Sequence, residues 1–178
     1  GQPSDGTSKR FLAIGRFSPL HKGFDILIDA FCLFAQRNSE WHLDIVGEGQ
    51  EDDRIQRMID KYKLNDRITI HPFTNNIQAY YSRAQVYILS SRWEGMPLVL
   101  MEAMSHGLPV VSSDLPVCQE IMGDFGMYFR NGEVEDLSRR MGVATMINWK
   151  EKSAEAMNIA KNFSTDSIIK QWKALIEE

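Results

Sequence analysis

The chain has 178 residues, a length typical of one domain that can bury a core of useful size. Hydrophobic residues make up 43% and charged residues 25%, as in an ordinary globular protein. The formal net charge of −4 gives no electrostatic reason to expect nucleic acid as a partner, although local cations can still bind a phosphate.

Two cysteines, Cys32 and Cys118, argue against a disulfide framework and against a zinc site. We therefore expect a reducing compartment, which places the protein in the cytoplasm or peripherally at the inner face of the membrane. Without a run of about 18 apolar residues we expect no transmembrane helix, and we expect no signal peptide.

Residues 1–9 are polar and rich in Gly and Ser, which predicts a linker or residues added for expression. From residue 10 to residue 178, apolar runs alternate with apolar residues at helical spacing. In chain order we predict strand 11–14, helix 24–36, strand 41–46, helix 52–62, strand 67–70, helix 77–84, strand 85–89, helix 97–106, strand 108–111, helix 117–122, strand 127–129 and three helices from 133, over 150–160 and over 164–176.

This alternation predicts an α/β fold: a Rossmann-like, doubly wound parallel sheet with helices on both faces and extra C-terminal helices. Ligands of such sheets bind beyond the carboxyl ends of the strands, near the point where the strand order reverses. We therefore expect a binding site in the loops that follow Gly15, Val46, Ile70, Leu89 and Val111.

The loop over residues 15–23 carries two cations, Arg16 and Lys22, between the first strand and the first helix. Such a loop suits an anion, because Arg clamps phosphate oxygens and Lys adds a point charge at a helix start. Gly15 and Gly23 permit close backbone approach. A solvated loop with two surface cations is an equally good interpretation of this segment alone.

Other motifs carry weaker signals. Gly47-Glu48-Gly49 favours a simple turn, because no third glycine completes a dinucleotide fingerprint. The loop at residues 15–23 lacks the Gly-rich pattern of a phosphate-binding Walker loop. No Asp-x-Asp metal motif occurs, and the histidines are scattered, with His21 alone in the cationic loop.

An acid pair, Glu94 and Glu102, flanks the start of the helix predicted from Pro97. A carboxylate on an apolar helix is costly without partners, and vicinal ribose hydroxyls are suitable ones. The eight intervening steps span about 12 Å by the helical rise, which fits the distance from ribose to sugar in a nucleotide sugar. Free N–H groups at the helix start suit a diphosphate. Alternatively, Glu94 is a helix-start acid and Glu102 a surface carboxylate.

Together, the cationic loop, the Gly47-Glu48-Gly49 turn, the acid pair with Ala103 and the string at residues 107–111 resemble the C-terminal, donor-binding domain of GT-B-fold retaining glycosyltransferases, specifically the family "glycosyl transferases group 1". The resemblance covers residues 11–176. It implies transfer of a hexose-type sugar from a nucleotide sugar, by default a UDP-sugar, to a glycan or lipid-linked acceptor, as in cell-surface polysaccharide synthesis. It also implies retention of anomeric configuration, no metal or other cofactor, and an acceptor-binding N-terminal domain that this chain lacks, so that the isolated domain is inactive.

The resemblance also assigns roles to residues. Arg16 and Lys22 match the cations that bind the donor diphosphate, Glu94 the acid near the donor sugar and Glu102 the acid on the ribose; the first three are the implied catalytic residues. The base is expected against residues 70–74. Met96 stands where the family often has an aromatic residue. The remaining implied donor contacts are Gly15, Phe73, Gly95, Met96, Pro97 and, through N–H groups directed towards phosphate, Leu98 and Val99.

Two other functions stay open. A nucleotide-sugar epimerase of similar fold also uses acids near a nucleotide. A non-catalytic nucleotide-binding module of doubly wound fold is the second alternative, although its first strand would more typically end in acids than in cations.

Overall fold

The computed structural model describes residue 4 and residues 6–18, 21–50 and 52–163. The helix predicted over 164–176 lies outside the described residues. In the part of the chain that is described, no helix is long and apolar enough to cross a membrane. Cys32 and Cys118 are both free thiols.

Six strands and seven α-helices form from the described residues, close to the predicted elements. In chain order they are β1 (Arg10–Ile14), α1 (Phe24–Ala35), β2 (His42–Val46), α2 (Asp52–Tyr62), β3 (Ile68–His71), α3 (Gln78–Arg83), β4 (Val86–Leu89), α4 (Leu98–Ser105), β5 (Val110–Ser113), α5 (Pro116–Met122), a 3-10 turn (Gly123–Phe125), β6 (Met127–Phe129), α6 (Val134–Ala144) and α7 (Trp149–Lys161).

The largest shift concerns β5, which begins two residues later than predicted. Gly107 adopts a left-handed φ of 75°, and the N–H of Leu108 donates to the Ala103 carbonyl at 3.1 Å. Pro109 has no N–H to donate, although its carbonyl accepts from Tyr87 at 2.9 Å. Residues 107–109 therefore end α4 instead of starting the strand.

All five strand pairings are parallel, in the order β3-β2-β1-β4-β5-β6. The order reverses between β1 and β4, so the predicted doubly wound sheet is confirmed. Loops after β1 and β4 consequently leave the sheet side by side, one turning to each face.

Helices cover both faces of the sheet, which explains why the strands are apolar on both sides. Alternate residues of β1 point to opposite faces: Phe11 packs in one core and Leu12 in the other. Each fully buried Leu or Phe contributes about 1.5–3 kcal/mol. Helices α1, α2 and α6 cover the first face through Leu27, Ile55 and Leu137. Helices α3, α4, α5 and α7 cover the second face through Tyr81, Leu100, Cys118 and Ala156.

Residues of the predicted linker, among them Ser4 and Gly6, contact the domain. The Ser4 hydroxyl donates to the Ala84 carbonyl, and Ser4 is buried. A Cβ atom on Gly6 would lie 2.3 Å from the ring of Trp149, whose indole N–H donates to the Gln85 carbonyl at 2.6 Å. This part of the segment is thus anchored beside the amino end of β4.

Candidate functional site

A cavity of about 660 Å³ opens at the carboxyl ends of the central strands, beside the switch point. Four segments form its walls: the ends of β1 and β2 with their following loops, the loop between β3 and α3, and the first turns of α4. Five predicted site residues meet there: Gly15, Arg16, Phe73, Val99 and Glu102. The other lining residues are Ile14, Val46, Gly47, Glu48, Thr74, Asn75 and Ile77.

Backbone hydrogen bonds hold together the strand ends and loops that line the cavity. The N–H of Gly15 donates to the Val46 carbonyl at 3.0 Å, and the N–H of Gly47 donates to the His71 carbonyl at 2.9 Å. A Cβ atom on Gly47 would lie 1.9 Å from the Gly15 carbonyl oxygen. The glycine turn therefore lets the loops after β1 and β2 run in contact, which no larger residue permits.

Glu102 lies on an exposed edge of α4, and its carboxylate forms part of the cavity wall. The Tyr81 hydroxyl donates to Glu102 Oε2 at 2.9 Å. Tyr81 is 1% exposed, and this burial raises the pKa of its phenol far above the ordinary value, so the hydroxyl keeps its proton and acts as a donor. Tyr81 is not among the site residues predicted from the motifs. The sequence indicates only that it lies one helical turn after Ile77.

Lys22 and Glu94 form an ion pair, with 2.7 Å between Lys22 Nζ and Glu94 Oε1. The Ser91 hydroxyl donates to the same carboxylate oxygen at 2.6 Å. The Glu94 side chain is 9% exposed and that of Lys22 22% exposed. Lys22 also shares a smaller cavity of about 440 Å³ with Arg16. The loop at residues 90–97, called the acid loop because it carries Glu94, thus contacts the cationic loop at residues 15–23 directly.

Arg16 is exposed and has no ion-pair or hydrogen-bond partner among the residues that the structure describes. It lines both the large and the smaller cavity. An unpaired guanidinium at a shared rim is available to an anion in either space.

The start of α4 differs in detail from the prediction. Pro97 precedes the helix instead of opening it, with a φ of −79° and a ψ of 76°. The N–H of Leu98 donates to the Met96 carbonyl at 2.9 Å, so it is not available to a ligand in this conformation. Within the described residues the N–H of Val99 has no acceptor. The cavity wall includes Val99 but not Gly95, Met96, Pro97 or Leu98.

Arg92 braces the acid loop. Its guanidinium donates to both oxygens of Asp25 at 2.9 and 2.8 Å, a bidentate pair. Its N–H donates to the His21 carbonyl at 2.7 Å, and its carbonyl accepts from Asn131 Nδ2 at 2.8 Å. Burial opposes ionisation of Asp25, but the Arg92 bonds outweigh it and hold the pKa of Asp25 below its ordinary value.

Among the described side chains, no group of three or more His, Cys, Asp or Glu residues is placed to hold a metal ion. The cavity instead offers a guanidinium, two carboxylates and the Val99 N–H, which together suit a polar ligand with phosphate and hydroxyl groups.

The family model for glycosyl transferases group 1 matches residues 1–163. This chain belongs to that family. An uncharacterised glycosyltransferase of Haemophilus influenzae is 27% identical over 176 residues, which is 95% of this chain and 49% of the relative. The amylovoran biosynthesis glycosyltransferase AmsD of Erwinia amylovora is 28% identical, over 94% of this chain and 48% of AmsD. The chain therefore spans about half the length of these curated relatives.

Solved structures agree with this membership. A crystal structure of a mutant of S. aureus TarM, in complex with fondaparinux, alpha-GlcNAc-glycerol and UDP, superposes with a TM-score of 0.88 at 25% identity. The match covers 100% of this chain and 37% of TarM. The fold is thus that of a GT-B glycosyltransferase domain, as the sequence motifs indicate.

Proposed function

We propose that this glycosyltransferase domain binds the nucleotide-sugar donor, a UDP-sugar by preference, for a retaining transfer of a hexose-type sugar. The observation that carries the proposal is the Glu102 carboxylate, which is held by Tyr81 at 2.9 Å in the wall of the cavity that Arg16 also lines. A carboxylate with open lone pairs suits the vicinal hydroxyls of a ribose. The UDP present in the TarM complex supports the choice of base.

In the proposed arrangement the donor runs along the rim of the sheet. The ribose lies on Glu102, and the base lies against Phe73 and Thr74, which line the same cavity. The diphosphate lies towards Arg16 and then Lys22, because Arg16 lines both the large cavity and the smaller one, and Lys22 lines the smaller one. The sugar follows near Glu94 and the exposed segment at residues 95–96.

The proposed reaction breaks the bond between the anomeric carbon and the diphosphate oxygen and forms a bond from an acceptor hydroxyl oxygen to the same face of that carbon. The proton of that hydroxyl passes to the leaving diphosphate. Negative charge grows on the leaving diphosphate, where Arg16 and Lys22 would stabilise it without a metal. Glu94, already bonded to Lys22, would keep that ammonium oriented and contact the sugar. These three residues are the proposed catalytic set.

The acceptor belongs to the part of the enzyme that lies outside this chain. Because the chain spans 49% of the Haemophilus relative, we propose that the other half binds a glycan or lipid-linked acceptor, as in cell-surface polysaccharide synthesis. The domain alone would bind donor weakly and transfer no sugar. We also propose a cytoplasmic location, peripheral to the membrane, consistent with the two free cysteines.

Isothermal titration calorimetry with UDP and GDP tests the proposal. UDP should bind the domain, and Glu102→Gln should weaken binding about tenfold, as expected for a lost charged hydrogen bond. Glu40→Gln is the matched control, because Glu40 is an exposed carboxylate at the amino edge of the sheet, and its ion-pair partner among the described residues is Lys9. Absence of binding to either nucleotide at millimolar concentration contradicts the proposal.

The same preparation separates the alternative functions. An epimerase would convert a UDP-sugar to its epimer without an acceptor, which chromatography of the incubated nucleotide detects. Equal binding by the domain and by Glu102→Gln would favour a nucleotide-binding module that holds its ligand elsewhere.

A further inference from the structure

The buried phenol of Tyr81 lies directly behind the cavity wall. Its hydroxyl is 2.9 Å from Glu102 Oε2 and 3.5 Å from the Val99 carbonyl, so it reaches the second turn and the start of α4 together. Its ring stacks on His106, with centroids 4.9 Å apart and an angle of 23° between the planes. His106 Nδ1 in turn lies 2.9 Å from the Glu102 carbonyl.

These contacts fix both the side chain and the backbone of Glu102. A glutamate on an exposed helix edge otherwise samples several rotamers. A protonated phenol can only donate to the carboxylate, so it occupies one lone pair of Oε2 and sets the plane of the group. Since Glu102 lines the cavity, the remaining lone pairs of its carboxylate can accept hydrogen bonds from a ligand there.

We propose that Tyr81 is a positioning residue that orients Glu102 to accept hydrogen bonds from both vicinal hydroxyls of a ribose. This inference rests on the proposed function. The contribution of Tyr81 therefore depends on the ribose hydroxyls and not on the base or the phosphates. A residue that served only to pack α3 against α4 would affect every ligand of the cavity equally.

The test compares UDP with 2′-deoxy-UDP by titration calorimetry on the domain and on Tyr81→Phe, which keeps the ring and its packing. We expect Tyr81→Phe to weaken UDP about tenfold and 2′-deoxy-UDP less than about threefold, because the deoxy ligand lacks one of the two donors that the oriented carboxylate accepts. Equal losses for the two ligands overturn the proposal and leave UDP binding itself established. If the unmodified domain binds neither ligand, the proposed function and this inference fail together.

Tyr62→Phe is the matched control. The Tyr62 hydroxyl donates to the Asp29 carboxylate at 2.7 Å, between α1 and α2 on the other face of the sheet, so its loss removes the same kind of bond away from the cavity. It should change neither affinity.

A double-mutant comparison keeps the test valid if Tyr81→Phe also lowers the stability of the domain. In the Glu102→Gln background, Tyr81→Phe should weaken UDP by no more than about twofold, because the carboxylate that it positions is gone. If the two substitutions are fully additive, Tyr81 does not act through Glu102 and the proposal is wrong.

Discussion

The ammonium of Lys22 lies 2.7 Å from Glu94 Oε1, although 72 residues separate the two in the chain. The sequence motifs suggest that the acids mark two ends of the donor, with the cations between them. In the folded protein one cation already neutralises one acid, while Arg16, which has no partner among the described residues, lines both cavities. Donor binding would thus bring a diphosphate to a free Arg16 and to a Lys22 that Glu94 holds in place.

Lys22→Ala should destabilise the domain by about 1–3 kcal/mol, because it leaves the Glu94 carboxylate, 9% exposed, with Ser91 as its one remaining partner in the described part of the chain. Urea unfolding measures the change. Lys9→Ala is the control: its pair with Glu40 is exposed at 48% and 70%, so its loss should cost clearly less stability than the loss of Lys22. Equal costs for both variants would show that the Lys22–Glu94 pair is energetically a surface pair.

Arg16→Ala should leave stability unchanged, since Arg16 is exposed and unpaired in the described structure, but should weaken UDP about tenfold. Uridine, which has no phosphate, should bind both proteins alike. Calorimetry with both ligands, at low and high salt, measures this. Arg37→Ala removes an exposed cation beyond the end of α1 and should alter neither affinity. A parallel loss of uridine binding would mean that Arg16 does not act on phosphate.

The Arg92–Asp25 brace should make stability depend on acidity. The pKa of Asp25 is lowered in the folded protein, so its stabilisation is complete above the ordinary value of 3.8 and is lost as pH falls through the folded value. Asp25→Asn should therefore be less stable than the unmodified domain at pH 7, and the gap should shrink towards pH 3. Urea unfolding across this range measures the gap.

Two points show that the change with pH can be attributed to Asp25. Asp136 also has a lowered pKa, owing first to the backbone N–H of Arg130, but its contribution cancels when the two proteins are compared at each pH. Asp60→Asn, at an exposed position of α2, is the control and should show a small gap. A gap for Asp25→Asn that grows as the pH falls would contradict the assigned role of the brace.

Gly23→Ala should cost about 2–4 kcal/mol and also weaken UDP, because Gly23 has a left-handed φ of 63° and an added Cβ would lie 2.1 Å from the Ser90 carbonyl oxygen. The loop that ends at Gly23 and the loop that begins at Ser90 must then separate. Gly142→Ala, in α6 with no atom within 4 Å of an added Cβ, should instead be neutral or stabilise by about 0.5–1 kcal/mol. Thermal unfolding and calorimetry measure both variants. Unchanged stability in Gly23→Ala would show that the loop contact is dispensable.

Five residues that the sequence motifs single out as site candidates line one cavity, because the carboxyl ends of parallel strands converge on one rim. The conformation of residues 95–98, in contrast, does not follow from the motifs. Pro97 fixes only its own φ, and the turn that directs the Leu98 N–H to the Met96 carbonyl is set by how α4 packs, which no neighbouring residue specifies.

By itself the sequence determined the alternation of strands and helices, the two-sided burial of the sheet and the rim that carries the site, since these depend on local propensity and on the spacing of apolar residues. Only the tertiary structure decided that Lys22 pairs with Glu94 and that Tyr81 supports Glu102. Such pairings depend on which strands are neighbours and how each helix is rotated on the sheet, and these relations are set by packing among residues far apart in the chain.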